Sequence, residues 1–141
     1  MKTRPNVVLA AVTGLVIVLA IVAGVLATRR EPPKLDEATP EGTVQLFVLA
    51  VIDGDDAAAV ARLDPELGCE APLETYRPSR VSMSVVSSRT TGQQAQVVLE
   101  ISEYSEGGFL ESWSHRESYE LVSQGSGWLI TGNPWPVYSC E

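Results

Sequence analysis

The chain has 141 residues, 45% of them apolar and 6% aromatic, and its 18 acidic residues outnumber 10 basic ones for a net charge of −8. That length is room for one domain plus an appendage, and so acidic a chain lacks the basic surface that direct nucleic-acid binding needs. Two cysteines and a single histidine fall short of the four ligands a structural zinc usually takes.

The appendage comes first. Val7 to Ala27 reads "VVLAAVTGLVIVLAIVAGVLA", 21 residues without a charge. As a helix at ~1.5 Å per residue it would reach roughly 32 Å, enough to cross a hydrocarbon core of about 30 Å. A cleaved signal peptide is the competing reading. Its apolar region is usually only ~7–15 residues long, although Ala23, Ala27 and Thr28 are small enough for a cleavage site. The expectation is a bilayer anchor at residues 7–27, preceded by a cytoplasmic tail at 1–6 and followed by a linker at 28–38.

The basic residues on the two sides of the span, Lys2 and Arg4 against Arg29, Arg30 and Lys34, nearly balance. The short tail and the cysteines decide the orientation. Cys69 and Cys140 form no CxxC motif, and a disulfide between them is the economical reading. Disulfides persist outside the cytosol, so residues 39–141 are expected on the outer side. From Glu31 onward six basic residues face all 18 acidic ones, a net −12, which a phosphate backbone or an anionic lipid surface would repel. Cys69 follows the charged, proline-containing "ARLDPELG" and is therefore no lipoprotein signal.

The linker "TRREPPKLDEATPEG" is polar, and Pro32–Pro33 favours an extended spacer. A helix should then begin at Thr39, which can cap, with Pro40 in the first turn and Glu41 near the positive end of the dipole. "TVQLFVLAVIDGDD" places Val44, Phe47, Val48 and Val51 at helical spacing. Asp53–Gly54 stops it, and a second helix is expected over "AAAVARL", ending at Asp64–Pro65.

After these the period changes to two. "RVSMSVVSS" alternates Val81, Met83 and Val85 with serines, and "QAQVVLEISEY" alternates Ala95, Val97, Leu99 and Ile101 with mostly polar residues. "FLESWSHRESYELV" carries Trp113, Tyr119 and Leu121 on one parity, and "GWLITG" supplies a last strand. Turn signals stand at Gly92, Gly107–Gly108 and "QGSGW". Helices first and strands afterwards predict an α+β domain, two or three helices packed on an antiparallel sheet of about four strands.

The opening "TPEGTVQLFVLAVIDGDDAAAVARLDPEL" with the closing "GWLITG" resembles the nuclear-transport-factor-2-like superfamily, over roughly Ala38 to Cys140. The resemblance implies a cone in which helices cover a strongly curved sheet. In that superfamily the space between them serves catalysis, small ligands, or merely a core beneath a protein-binding surface. Some members are single-pass proteins of conjugation and type IV secretion assemblies or of lipid-transport systems, with a similar layout.

Catalytic signals are sparse. The chain has no G-x-S-x-G, P-loop, G-x-G-x-x-G or HExxH, so no catalytic residue, metal or cofactor is expected. The best remaining constellation is on "ESWSHRES", where Glu111, Trp113, His115, Glu117 and Tyr119 share one strand face. Trp113, His115, Glu117 and Tyr119 are the candidate ligand-binding residues. Inside a cavity, a histidine beside carboxylates would suit isomerase- or cyclase-like acid–base chemistry. Alternatively Trp113, Tyr119 and Leu121 face a filled core, with His115 and the glutamates near a strand end. The reading preferred here is a membrane-anchored, non-enzymatic binding or scaffold protein of the bacterial cell envelope with a protein partner. Val81–Ser88 and the aromatic C-terminal segment are its candidate contact surfaces.

Overall fold

The computed structural model describes residues 5–28, 35–104 and 112–140. Two units are separate, Met1–Lys34 and Leu35–Glu141. In the first, helix α1 runs Pro5–Thr28. Its Val7–Gly24 stretch has a mean hydropathy of 2.8 and no buried residue, long and apolar enough for a membrane span or a signal sequence. The charged linker between 29 and 34 lies outside the described residues, as does the expected turn at Gly107–Gly108.

The second unit opens with α2, Pro40–Asp53. Its start is built as the composition requires. The Thr39 hydroxyl accepts from Gly42 N–H at 3.1 Å, Pro40 occupies the first turn, and Gly54 caps the C-terminus. The cap rests on a tight preceding turn, in which Asp36 C=O accepts from Thr39 N–H at 3.0 Å and from the Thr39 hydroxyl at 2.8 Å. That carbonyl lies directly against Gly42, where a Cβ would collide with it. Nothing in the sequence pattern announced this constraint.

Helix α3 spans only Asp56–Val60, capped by Asp55, followed by a short 3-10 turn at Pro65–Leu67. It is shorter than the expected "AAAVARL" helix because the chain takes up a different backbone pairing. Ile130 N–H donates to Arg62 C=O at 2.9 Å, and Asp64 N–H donates to Ile130 C=O at 2.8 Å. Leu63 thereby forms a parallel bridge with Ile130.

Four antiparallel strands follow in sequence order: β1 Val81–Thr91, β2 Gln94–Tyr104, β3 Ser112–Gln124 and β4 Gly127–Thr131. The β1–β2 and β3–β4 hairpins close on two-residue loops whose first residue, Gly92 or Gly125, has φ of 61° or 63°. A left-handed first loop residue matches the twist of paired strands, and glycine adopts it without strain. A register shift between Val85 and Ser87 interrupts β1, which turns Ser88 and Thr90 to the sheet face that Val81 and Met83 hold earlier.

The apolar face of α2 lies on the sheet. Val44, Phe47, Val48 and Val51 meet Val97, Leu99, Ile101, Tyr119, Leu121 and Ile130, all essentially without exposure. The space between helix and sheet is thus occupied by side chains. Cys69 and Cys140 form a disulfide, which supports an extracytoplasmic location for this unit. It ties the segment after the helices to the C-terminal strap.

Two stability measurements follow. Gly42→Ala should cost about 1–3 kcal/mol, as inserting a methyl group against fixed backbone does, read as a lowered thermal midpoint by circular dichroism. Replacing both cysteines by serine should cost about 2–5 kcal/mol, seen as a lower denaturant midpoint under non-reducing conditions.

Candidate functional site

The site is assembled on the helix-facing side of β3. Leu121, Tyr119, Glu117, His115 and Trp113 alternate along that face, paired in register with Ala95, Val97, Leu99, Ile101 and Glu103 of β2. The opposite parity, Ser112, Ser114, Arg116, Ser118 and Glu120, is exposed. Along the helix-facing side the environment changes steadily. Tyr119 is 1% exposed in the core, His115 and Glu117 are half-buried, and Trp113 is 64% exposed. The structure therefore brings Trp113, His115 and Glu117 together, but it sets Tyr119 inside the packed core.

The C-terminal strap roofs this face. Trp135 is buried, its ring edge-on to His115 at a centroid distance of 5.3 Å. The Tyr119 hydroxyl donates to Trp135 C=O at 3.1 Å. On its other side His115 is stacked by Trp113, with centroids 4.4 Å apart and planes inclined by 24°. The imidazole is a filling between two indoles.

Two carboxylates flank that ring. Glu103 Oε1 lies 3.9 Å from His115 Nδ1, and Glu117 Oε1 lies 3.5 Å from Nε2. Both ring nitrogens are buried and neither makes a hydrogen bond among the described residues. Glu103 instead accepts from the Tyr76 hydroxyl at 2.7 Å. Tyr76 is positioned by its neighbours: Arg77 pairs with Asp56 at 2.6 Å, and Leu73 N–H donates to the same carboxylate at 3.0 Å. The Arg77 guanidinium holds the Asp56 carboxyl below its usual range.

Two exposed tyrosines lie in the field of these carboxylates. The hydrogen bond to Glu103 raises the Tyr76 phenol above its ordinary value. Partial burial raises Tyr138, with Glu117 and Glu103 adding to the shift. Sequence reading missed Glu103 and Tyr76, while Tyr138 lies in the aromatic C-terminal segment it named as a contact surface. Glu103 did carry a signal: it shares the parity of Leu99 and Ile101, so a charge stood at an inward position. Tyr76, in an irregular stretch, carried none.

Three clefts lie elsewhere. One of about 500 Å³ is lined by Arg89, Gln94, Gln96, Glu120 and Thr131 among others. A second of about 510 Å³ includes Glu37, Arg62 and Trp128, and a third of about 550 Å³ includes Glu70, Glu74 and Ser139. Trp113, His115, Glu117 and Tyr119 line none of the three. Among the described residues no group of three or more histidine, cysteine or acidic side chains is arranged to hold a metal ion.

No family model matches the chain, and no curated protein matches it. In fold it is similar to the solution structure of a SEC-C motif containing protein from Rhodopseudomonas palustris. The two chains are 19% identical with a TM-score of 0.52, over 77% of this chain and 84% of that one. At that identity the likeness speaks for the shared α+β architecture.

Burial pushes the Tyr119 phenol far above its ordinary value, with Glu117 and Tyr138 adding to the shift. An unfolded tyrosine ionises near pH ~10, so above that pH the unfolded chain releases a proton that the folded chain keeps. Stability from this group is complete below about pH 10 and declines as pH rises beyond it. Tyr119→Phe should flatten that decline while costing about 0.5–1.5 kcal/mol at neutral pH for the lost hydrogen bond. Denaturant titrations at pH 7 and above pH 10 compare the two slopes.

Proposed function

We propose that the chain is a single-pass envelope protein whose outward domain is a non-enzymatic binding module. Its nuclear-transport-factor-2-like topology then serves to hold a contact surface rather than a reaction chamber. One observation carries the reading: three aromatic side chains, Trp113, Tyr76 and Tyr138, stand 64%, 61% and 59% exposed around the pair Glu103 and Glu117. Clustered exposed aromatics are costly to leave in water, and they are the residues most often found at the centre of protein interfaces. The aromatic C-terminal segment named from the sequence contributes Trp135 and Tyr138 to this surface. The β1 stretch Val81–Ser88 adjoins it, since Val81 pairs with Glu103.

The alternative, an acid–base pocket on Trp113, His115 and Tyr119, has less support. Catalysis asks for a base held by a hydrogen bond and open to substrate. The Tyr119 hydroxyl is committed to Trp135 C=O, and the His115 nitrogens are covered. A subunit role in a secretion, conjugation or lipid-transport assembly accords with this layout of anchor, linker and small domain. The net −12 borne beyond the span keeps such a domain off anionic headgroups.

Topology and contact surface are tested separately. A phosphatase fused after residue 141 should be active, as it is only outside the cytoplasm. A photo-crosslinking amino acid at position 113 should give a discrete adduct with an envelope protein in intact cells. The same group at Ser118, on the solvated face, should give none. Equal adducts from both positions, or none from 113, would count against the proposed surface.

A further inference from the structure

Resting on that reading, we infer the chemistry of the partner: the aromatic–acidic end of the sheet takes the cationic side chains of a basic protein segment. The charge inventory points there first. Among the described residues Arg62 pairs with Glu37, Arg77 with Asp56 and Arg116 with Glu100. Among the same residues Glu103 and Glu117 have no guanidinium or ammonium partner. Their ion-pair partner is the His115 imidazole between them, 3.9 Å from Glu103 and 3.5 Å from Glu117, which is charged only when protonated and hydrogen-bonds to neither. Two half-buried carboxylates thus share at most one positive charge, and at least one negative charge is left uncompensated. Uncompensated, such an arrangement is unfavourable; a cation arriving from outside relieves it.

The aromatic side chains supply the second half of the recognition. One face of Trp113 covers His115, while the residue as a whole remains 64% exposed. Tyr76 and Tyr138 are similarly open; Tyr76 donates its hydroxyl to Glu103 at 2.7 Å, and Glu117 and Glu103 add to the upward shift that partial burial gives the Tyr138 phenol. A guanidinium or ammonium laid on an indole or phenol face gains ~0.5–2 kcal/mol, more as it is desolvated. Carboxylates beside aromatic faces are what a lysine or arginine asks for.

The spacing favours a peptide over a single small cation. The two carboxylates lie on opposite sides of one imidazole ring, each near a different nitrogen. Two anionic points set at different nitrogens of one ring suit two side chains of one segment, and in an extended segment same-face side chains recur every ~6.6 Å. The strongly acidic domain around the site would steer such a segment toward it.

The test uses the full-length chain in nanodiscs of zwitterionic lipid. The probe is a fluorescently labelled, terminally blocked hexapeptide alternating arginine and serine, followed by anisotropy at physiological ionic strength. Saturable binding is expected, weakened at least tenfold by Glu103→Gln with Glu117→Gln and comparably by Trp113→Ala. Glu100→Gln with Glu120→Gln, on the opposite sheet face, should leave it within twofold. Trp113 is exposed, so its truncation leaves the core intact, and thermal midpoints confirm folding of each variant. Equal weakening by both double variants would reduce the attraction to net charge and overturn the inference. Displacement of the probe by free phosphocholine, but not by unlabelled peptide, would overturn it in favour of a headgroup. No binding at all would also overturn it, while an adduct from position 113 would leave the binding surface standing.

Discussion

The core beneath the helices ends part-way along β3, and the character of the candidate site follows from that. Helix α2 has 14 residues, about 21 Å at 1.5 Å each. Strand β3 has 13 residues, about 43 Å at 3.3 Å each. Tyr119 and Leu121 belong to the core that the α2 side chains help to fill, whereas Trp113 is exposed, so one strand face passes from a sealed interior to open water without changing parity. His115 and Glu117, half-buried, stand between the two. A single sequence alternation therefore supplies core and surface in turn.

At the margin the C-terminal strap replaces the helix as cover. Trp135 and Val137 are buried there although they belong to no strand. Two attachments keep the strap down: the Tyr119 hydroxyl on Trp135 C=O, and the disulfide from Cys140 to Cys69. The Thr75 hydroxyl adds a third, donating to Pro136 C=O. The same strap thus closes the core and supplies one of the two indoles that enclose His115. The disulfide fixes the strap to the segment that follows the helices.

Most of the fold was legible because its signals are local. Thr39, Pro40 and Gly54 delimit α2 by the chemistry of helix ends, and the change of period after Arg80 marks the strands. Where reading failed, the deciding partner was remote in sequence. Helix α3 stops at Val60 because Arg62 and Asp64 exchange backbone hydrogen bonds with Ile130, a pairing no window of ten residues contains. Gly42 looks like a weak helical position, yet the carbonyl of Asp36 requires it to lack a side chain. The site shows the same division. Parity placed Trp113, His115, Glu117 and Tyr119 on one face, but it could not tell which of them the helix would cover.

That distinction separates the two functional readings. An acid–base pocket needs an enclosed void in which one ionisable side chain is oriented by a second. Here the interior is filled, and the ionisable groups have moved to its rim. Neither flanking carboxylate hydrogen-bonds a His115 nitrogen, so neither fixes its tautomer in the way a catalytic imidazole depends on. The stacked Trp113 ring on one hand and the edge-on Trp135 ring on the other hold the imidazole in place instead. Position without proton control is of little use to a general base. It is well suited to keeping an indole upright at the edge of the sheet, with one face stacked on the ring and the residue as a whole still 64% exposed.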